Sequence, residues 1–219
     1  MFGKIELERM LVRKVWDHAI DFNDNFKASK ARVYPLSRNE KEEVQKFVNE
    51  HLKKGYIRPS KLPQMSLVFF VEKKDGGKHM IIDYRRLNKQ TVKNNYLLPL
   101  ITDLVNSMGN KRVFTKMDLQ WEYNNVRIKK GDEWKAAFTI HVGSYELVVI
   151  FFGMINSPAT FQGMMNEILK DIINEGKVVV FVNDVLIGTE IEEGHEELVK
   201  EVLRQLEENN LYVKLEKCA

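Results

Sequence analysis

Asp118 closes the run "VFTKMD", and 65 positions further on Asn183-Asp184 joins two β-branched, apolar runs in "VVVFVNDVLIG". A strand-end carboxylate beside a hairpin-tip carboxylate suits a divalent cation. Mg²⁺ takes hard oxygen ligands and usually accepts one or two carboxylates together with substrate phosphates. A plain turn explains the second stretch as well, because Asn and Asp tolerate the left-handed conformations that a tight hairpin demands. Asp118 alone reads equally as a solvated strand-end acid, so these residues by themselves leave both readings open.

The elements that must position these residues are legible from periodicity. "LSRNEKEEVQKFVNEHLKKG" opens with a capping box, Ser37 and Glu40, and sets Val44, Phe47, Val48 and Leu52 on one helical face before Gly55. "SLVFFVEKKDGGKHMIIDYRRLN" has apolar runs on both sides of Asp75-Gly76-Gly77, which predicts a hairpin with a lysine-rich tip. "KRVFTKMDLQ" and "YELVVI" read as further strands, and "KVVVF…VLIG" as a second hairpin. In "NSPATFQGMMNEILKDIINEG", Ser157 can cap, Pro158 suits the first helical position, and Phe161, Met164, Met165, Ile168 and Ile172 form an apolar stripe. A last helix over roughly 193–209 is expected to bury Leu198, Val199, Val202, Leu203 and Leu206. Several hairpins mixed with helices indicate the α+β class.

Composition narrows the function classes. The chain has 219 residues and is 44% hydrophobic, enough for a substantial core. No apolar run approaches the roughly 20 residues needed to span a bilayer, so no membrane role is expected. The charged N-terminus is not a signal peptide, and an intracellular protein, cytoplasmic or nuclear, follows. The net charge of +3 is unevenly spread: residues 53–94 carry eleven Lys or Arg against three acids. Such a basic stretch is what a phosphate-backbone binder displays, with solvated lysines as the alternative. Residues 189–208 carry eight glutamates and read as the solvated face of the last helix. Cys218, the single cysteine, rules out an intrachain disulfide. His18, His51, His141 and His195 show no metal-ligand spacing.

In their order, the segments "YPLSRNE", "GYIRPS", "KKDGGKHMIIDYRRLNKQTVKNNYLLPLI", "VFTKMDLQWEYNNVRIKKGDEWKAAF", "FFGMINSPATFQGMMNEIL", "VVVFVNDVLIGTE" and "LYVKLEKC" resemble the reverse transcriptase domain of gypsy-type LTR retrotransposons, in wording close to those of mushroom-forming fungi. The resemblance covers nearly the whole chain and implies the fingers and palm of a right-hand polymerase. It places a polyprotein lead-in at 1–33, mainly fingers at 34–110 and mainly palm at 111–219 with fingers elements interleaved, and leaves the thumb, connection and RNase H regions outside the chain. It implies RNA-directed DNA synthesis with Mg²⁺ (or Mn²⁺), an RNA template, an RNA–DNA or DNA duplex and dNTPs as partners, and neighbouring parts of a polyprotein.

By that resemblance Asp118 and Asp184 are metal ligands, while Asn183 stands at the first acidic position of the family's Tyr-x-Asp-Asp turn, here Phe181-Val182-Asn183-Asp184. An amide keeps the shape but is a weaker ligand, and loss of one preorganised electrostatic element costs about 10²–10³ in rate. Lys73 matches a triphosphate-gripping lysine, but His79 replaces the arginine that shares the task, and neutral imidazole is no substitute for a forked cation. Tyr123 matches the aromatic gate for the sugar 2′ position, with Glu122 beside it in place of a small residue. Gly153 and Gln162 match the motif that positions template and nucleotide. Lys74, Lys78, Arg85 and Arg86 supply the expected nucleic-acid surface. The implied function is a reverse transcriptase domain weakened or silenced at its turn; the alternatives are a non-catalytic nucleic-acid-binding module and an interaction or structural relic.

Overall fold

The computed structural model describes residues 12–24, 26–28, 34–61, 64–72 and 78–219. The chain divides into two units, residues 1–93 with 126–157 and residues 94–125 with 158–219. Among the described residues no helix is long and apolar enough to cross a membrane.

In the first unit, α1 (Arg38–Lys53) starts at the expected capping box: the Glu40 N–H donates to Ser37 Oγ, and the Glu40 carboxylate accepts from Ser37 N. Val44 and Val48 are buried, and Gly55 ends the helix at φ +70°. Five strands, β1 (Ile57–Pro59), β2 (Ser66–Glu72), β3 (Lys78–Asp83), β5 (Phe138–Ile140) and β6 (Gly143–Leu147), form a sheet in the order β1-β6-β5-β2-β3. β2 and β3 make the expected antiparallel hairpin, whose tip at 73–77 lies outside the described residues; β2 and β5 pair in parallel, so the sheet is mixed. "YELVVI" pairs as a strand only through Leu147; Val148, Val149 and Ile150 are buried beyond it. A short helix, α2 (Arg85–Gln90), follows the hairpin.

Extended residues 12–22 are stitched to this unit. His18 bridges Ile128, Phe22 bridges Thr91, and Arg13 contacts the Glu133 carboxylate at 2.6 Å and the Ile128 carbonyl at 2.9 Å. Phe22 stacks on Phe26, and both meet Trp134 edge-on.

The second unit is built on a three-stranded antiparallel sheet, β4 (Val113–Asp118), β8 (Asp184–Thr189) and β7 (Val178–Phe181), in the order β4-β8-β7. Its helices are α3 (Ile101–Ser107), α4 (Ser157–Ile168, from Pro158 onward), α5 (Lys170–Asn174) and α6 (His195–Glu208). Three expectations need correction. The single helix anticipated up to Gly176 breaks at Leu169, whose φ of −103° and ψ of 18° leave the helical region, so Ile172 is buried from a separate helix. Ser157 does not cap: it is the first helical residue, and its buried Oγ has no hydrogen-bond partner. α6 fully buries Val202 and Leu206, whereas Leu198, Val199 and Leu203 stay half-buried, because one small sheet covers only a narrow stripe of the helix.

Candidate active site

Asp118 is the last residue of β4 and Asp184 the first of β8, and the antiparallel register sets them directly opposite each other. Like charges at such a position repel. Lysines offset that cost: Lys116 Nζ lies 2.9 Å from Asp184 Oδ1, Lys214 Nζ 3.2 Å from Asp118 Oδ1, and Lys217 Nζ 3.4 Å from Asp118 Oδ2. The Asp184 carboxylate raises the Lys116 ammonium above its ordinary value. Both Oδ1 atoms are buried beneath these lysines, and neither accepts a hydrogen bond from any other described group. Each of these oxygens is already in contact with a lysine ammonium, which a bound cation would displace or share.

That pair passes a test of fit for Mg²⁺, which needs hard oxygen donors and accepts one or two carboxylates plus substrate oxygens. Asn183 adjoins it with a neutral amide. Among the described residues no cluster of three or more His, Cys, Asp or Glu side chains stands ready for a metal ion. Asp118 and Asp184 are the two carboxylates that the register brings together here, with lysine counter-charge.

The turn itself differs from the sequence expectation. Phe181 pairs with Asp184, so the turn residues are Val182 and Asn183, and it is Val182 that adopts positive φ, at +52°, while Asn183 and Asp184 do not. Positive φ at the first central position is a place for glycine, and a β-branched residue there is strained. Gln162, on α4 and 0% exposed, holds the strained backbone: its Oε1 accepts from Val182 N at 2.8 Å, and its Nε2 donates to Val180 O at 3.0 Å. Such strain persists where surrounding structure over-determines it. Leu119 N also donates to Asn183 O at 2.9 Å, tying the turn to the end of β4.

Tyr123, in a 3-10 turn at Glu122–Asn125, is half-buried with its ring edge-on to Phe161 at 5.9 Å. Asp118, Tyr123, Gln162, Asn183 and Asp184 thus all belong to the second unit. His79, exposed on β3, and Gly153 belong to the first. Gly153 sits at φ +101°, and its carbonyl accepts from Asn88 Nδ2 at 2.7 Å. Lys73 and Lys74 lie outside the described residues.

The basic run is less bare than its composition suggests. Lys78 is held by Glu40 at 2.6 Å, Arg85 by Asp83 at 2.6 Å, Lys54 by Glu50 at 2.6 Å, and Arg58 by Glu146. Three of those acids, Glu40, Glu50 and Glu146, come from outside the run, which is why counting within it overstates its field. Arg86 is exposed on α2. The sequence reading missed the lysines around the aspartates. Lys116 was findable, since a residue two before Asp118 on a strand shares its face; Lys214 and Lys217, 96 and 99 positions away, carried no signal.

A hairpin-borne acid opposite a strand-end acid, with an Asn at the turn, sits in a chain whose residues 71–219 match the family described as reverse transcriptase (RNA-dependent DNA polymerase). The chain belongs to that family and is a reverse transcriptase domain of an LTR retrotransposon. Among its relatives is the Transposon Tf2-3 polyprotein of Schizosaccharomyces pombe, 39% identical over 187 residues that cover 85% of this chain and 14% of the relative. The Tf2-7 polyprotein of the same organism is 38% identical over the same share. The chain therefore spans about a seventh of the curated relatives it matches. Its fold matches the prototype foamy virus protease-reverse transcriptase with a TM-score of 0.82 at 25% identity, covering 96% of this chain and 28% of that one. The foamy viral enzyme in complex with an RNA/DNA hybrid gives a TM-score of 0.83 at 24% identity, covering 97% and 28%, a likeness of fold alone. The expected α+β fingers–palm fold is thereby established.

Proposed function

We propose that this chain is the fingers and palm of a gypsy-type retrotransposon reverse transcriptase, weak or silent in nucleotidyl transfer because Asn183 stands where the family's turn carries an acid. One observation carries this reading. Asp118 and Asp184 are cross-strand partners whose carboxylate charge is met, among the described residues, only by lysine ammoniums, and the side chain beside them is an amide. Divalent ions, when bound, polarise the attacking 3′-hydroxyl and offset charge on the departing pyrophosphate. Asp118 and Asp184 would hold Mg²⁺ or Mn²⁺, with Asn183 offering only a neutral oxygen.

Residues 34–110 are assigned mainly to the fingers and 111–219 mainly to the palm, with fingers elements interleaved. In this assignment Lys73 contacts the triphosphate, His79 stands at the second triphosphate position without a permanent charge, and Tyr123 gates the sugar. Gly153 and Gln162 match the family motif that positions template and nucleotide, and Gln162 contributes through the turn it holds. Lys74, Lys78, Arg85 and Arg86 would contact an RNA template or an RNA–DNA duplex; Lys78 and Arg85 would first have to exchange their carboxylate partners for phosphate.

The test compares this chain with Asn183→Asp in primer extension on poly(rA)/oligo(dT) with Mg²⁺ and Mn²⁺, together with Mn²⁺ binding read by electron paramagnetic resonance. The chain as it stands is expected to extend no primer, and Asn183→Asp to gain about 10²-fold or more in rate. Equal extension by both would refute the assignment of Asn183 as the lesion. Tighter Mn²⁺ binding by Asn183→Asp checks the metal site independently of synthesis.

A further inference from the structure

The strained turn is held by more than Gln162. Gln162 Nε2 also donates to Asn166 Oδ1 at 2.9 Å, one helical turn along α4, and Asn166 Nδ2 donates to Tyr96 Oη at 2.7 Å. The amide orientations are forced. A backbone N–H only donates and a carbonyl only accepts, so Gln162 must turn Oε1 to Val182 and Nε2 to Val180. Its Nε2 then requires the oxygen of Asn166, which leaves the Asn166 amino group for the Tyr96 hydroxyl. A single polarised chain of hydrogen bonds runs from Tyr96, 41% exposed, to the N–H of a residue at φ +52°.

Tyr96 is itself placed. Its ring lies across α4 at Gly163, where an added Cβ would stand 3.6 Å from the ring, and its N–H donates to Asn94 Oδ1 at 2.9 Å. Neither Tyr96 nor Asn166 reaches the carboxylates. We infer that Tyr96 and Asn166 are positioning residues, acting through Gln162 to hold the Val182-Asn183 turn in its strained geometry and thereby the register of Asp184 against Asp118. The role does not depend on whether the chain synthesises DNA.

Amide hydrogen exchange tests it on the full chain labelled with ¹⁵N-valine. Tyr96→Phe and Asn166→Leu are each expected to speed exchange at the Val182 amide about two- to tenfold, the range set by the net worth of one hydrogen bond. Val178, Val185 and Val202, in β7, β8 and α6, should keep their wild-type rates. A general packing role would raise all four together, and that result overturns the inference. So does an unchanged Val182 in both variants. Tyr96→Phe removes one oxygen and keeps the ring on Gly163, so the test survives even if Asn166→Leu folds poorly. Because the readout is a backbone amide, failure of the polymerase reading leaves this result standing, and the reverse holds too.

Discussion

His18→Gln should flatten the acid side of this protein's stability curve. His18 is 2% exposed, and its backbone is pinned, with its N–H donating to Arg127 O at 2.7 Å and its carbonyl accepting from Lys129 N at 2.8 Å. Burial pushes the imidazole down from 6.5 to about 4, against the upward pull of Asp132 and Asp21. Between those values the unfolded chain binds a proton that the folded protein refuses. Stability is therefore fully present above pH 6.5 and is lost as the pH falls toward 4. Integrated to pH 5 the loss is about 2 kcal/mol, and over the whole shift about 3 kcal/mol. Urea unfolding followed by tryptophan fluorescence at pH 7.5, 6 and 5 measures it. Wild type should lose about 2 kcal/mol more than His18→Gln across that interval. The Glu40 carboxyl, held at about 2 chiefly by Lys78, gives up its contribution only below its ordinary 4.5, and His51, also pushed down by burial, contributes equally in both proteins, so the difference between them isolates His18. Parallel slopes for the two proteins would refute the reasoning.

Gln162→Leu should cost about 1–3 kcal/mol by leaving the Val182 N–H without its acceptor, and Val182→Gly should shrink that cost by relieving the strain the bond opposes; additive thermal shifts in the double variant would count against the account. Lys116→Met should strengthen Mn²⁺ binding several-fold at low salt, with the gain fading near 1 M salt as screening sets in, and weaker binding on loss of the lysine would contradict its role as counter-charge. Arg86→Gln should weaken binding to an RNA–DNA duplex uniformly across sequences and lower the salt slope by about one unit; an unchanged slope in a salt titration would remove Arg86 from the interface.

Local signals in the chain carried most of the architecture. The Ser37–Glu40 box, the β2–β3 hairpin and the β7–β8 hairpin each depend on neighbours in sequence, and each is present. Asp118 and Asp184 were legible as a pair because strand ends and hairpin tips are where side chains meet across a register. What escaped were relations between distant segments. Lys214 and Lys217 reach Asp118 from the far end of the chain, and Glu40 and Glu146 neutralise a run of cations they are nowhere near in sequence. The turn was misread for a different reason. Propensity favoured Asn for positive φ, but Gln162 imposes the geometry one residue earlier, on a valine that would not choose it.

The lysines around Asp118 and Asp184 also bear on how such a domain decays. In a metal-dependent small domain, loss of a ligand takes the fold with it, because binding energy is folding energy. Here the repulsion between the two acids is balanced by charges the chain carries itself. Under the proposed reading, a substitution at position 183 changes the chemistry while leaving the sheet closed, and a chain with a silent site still folds. Chelating agents should likewise leave its melting temperature where it was.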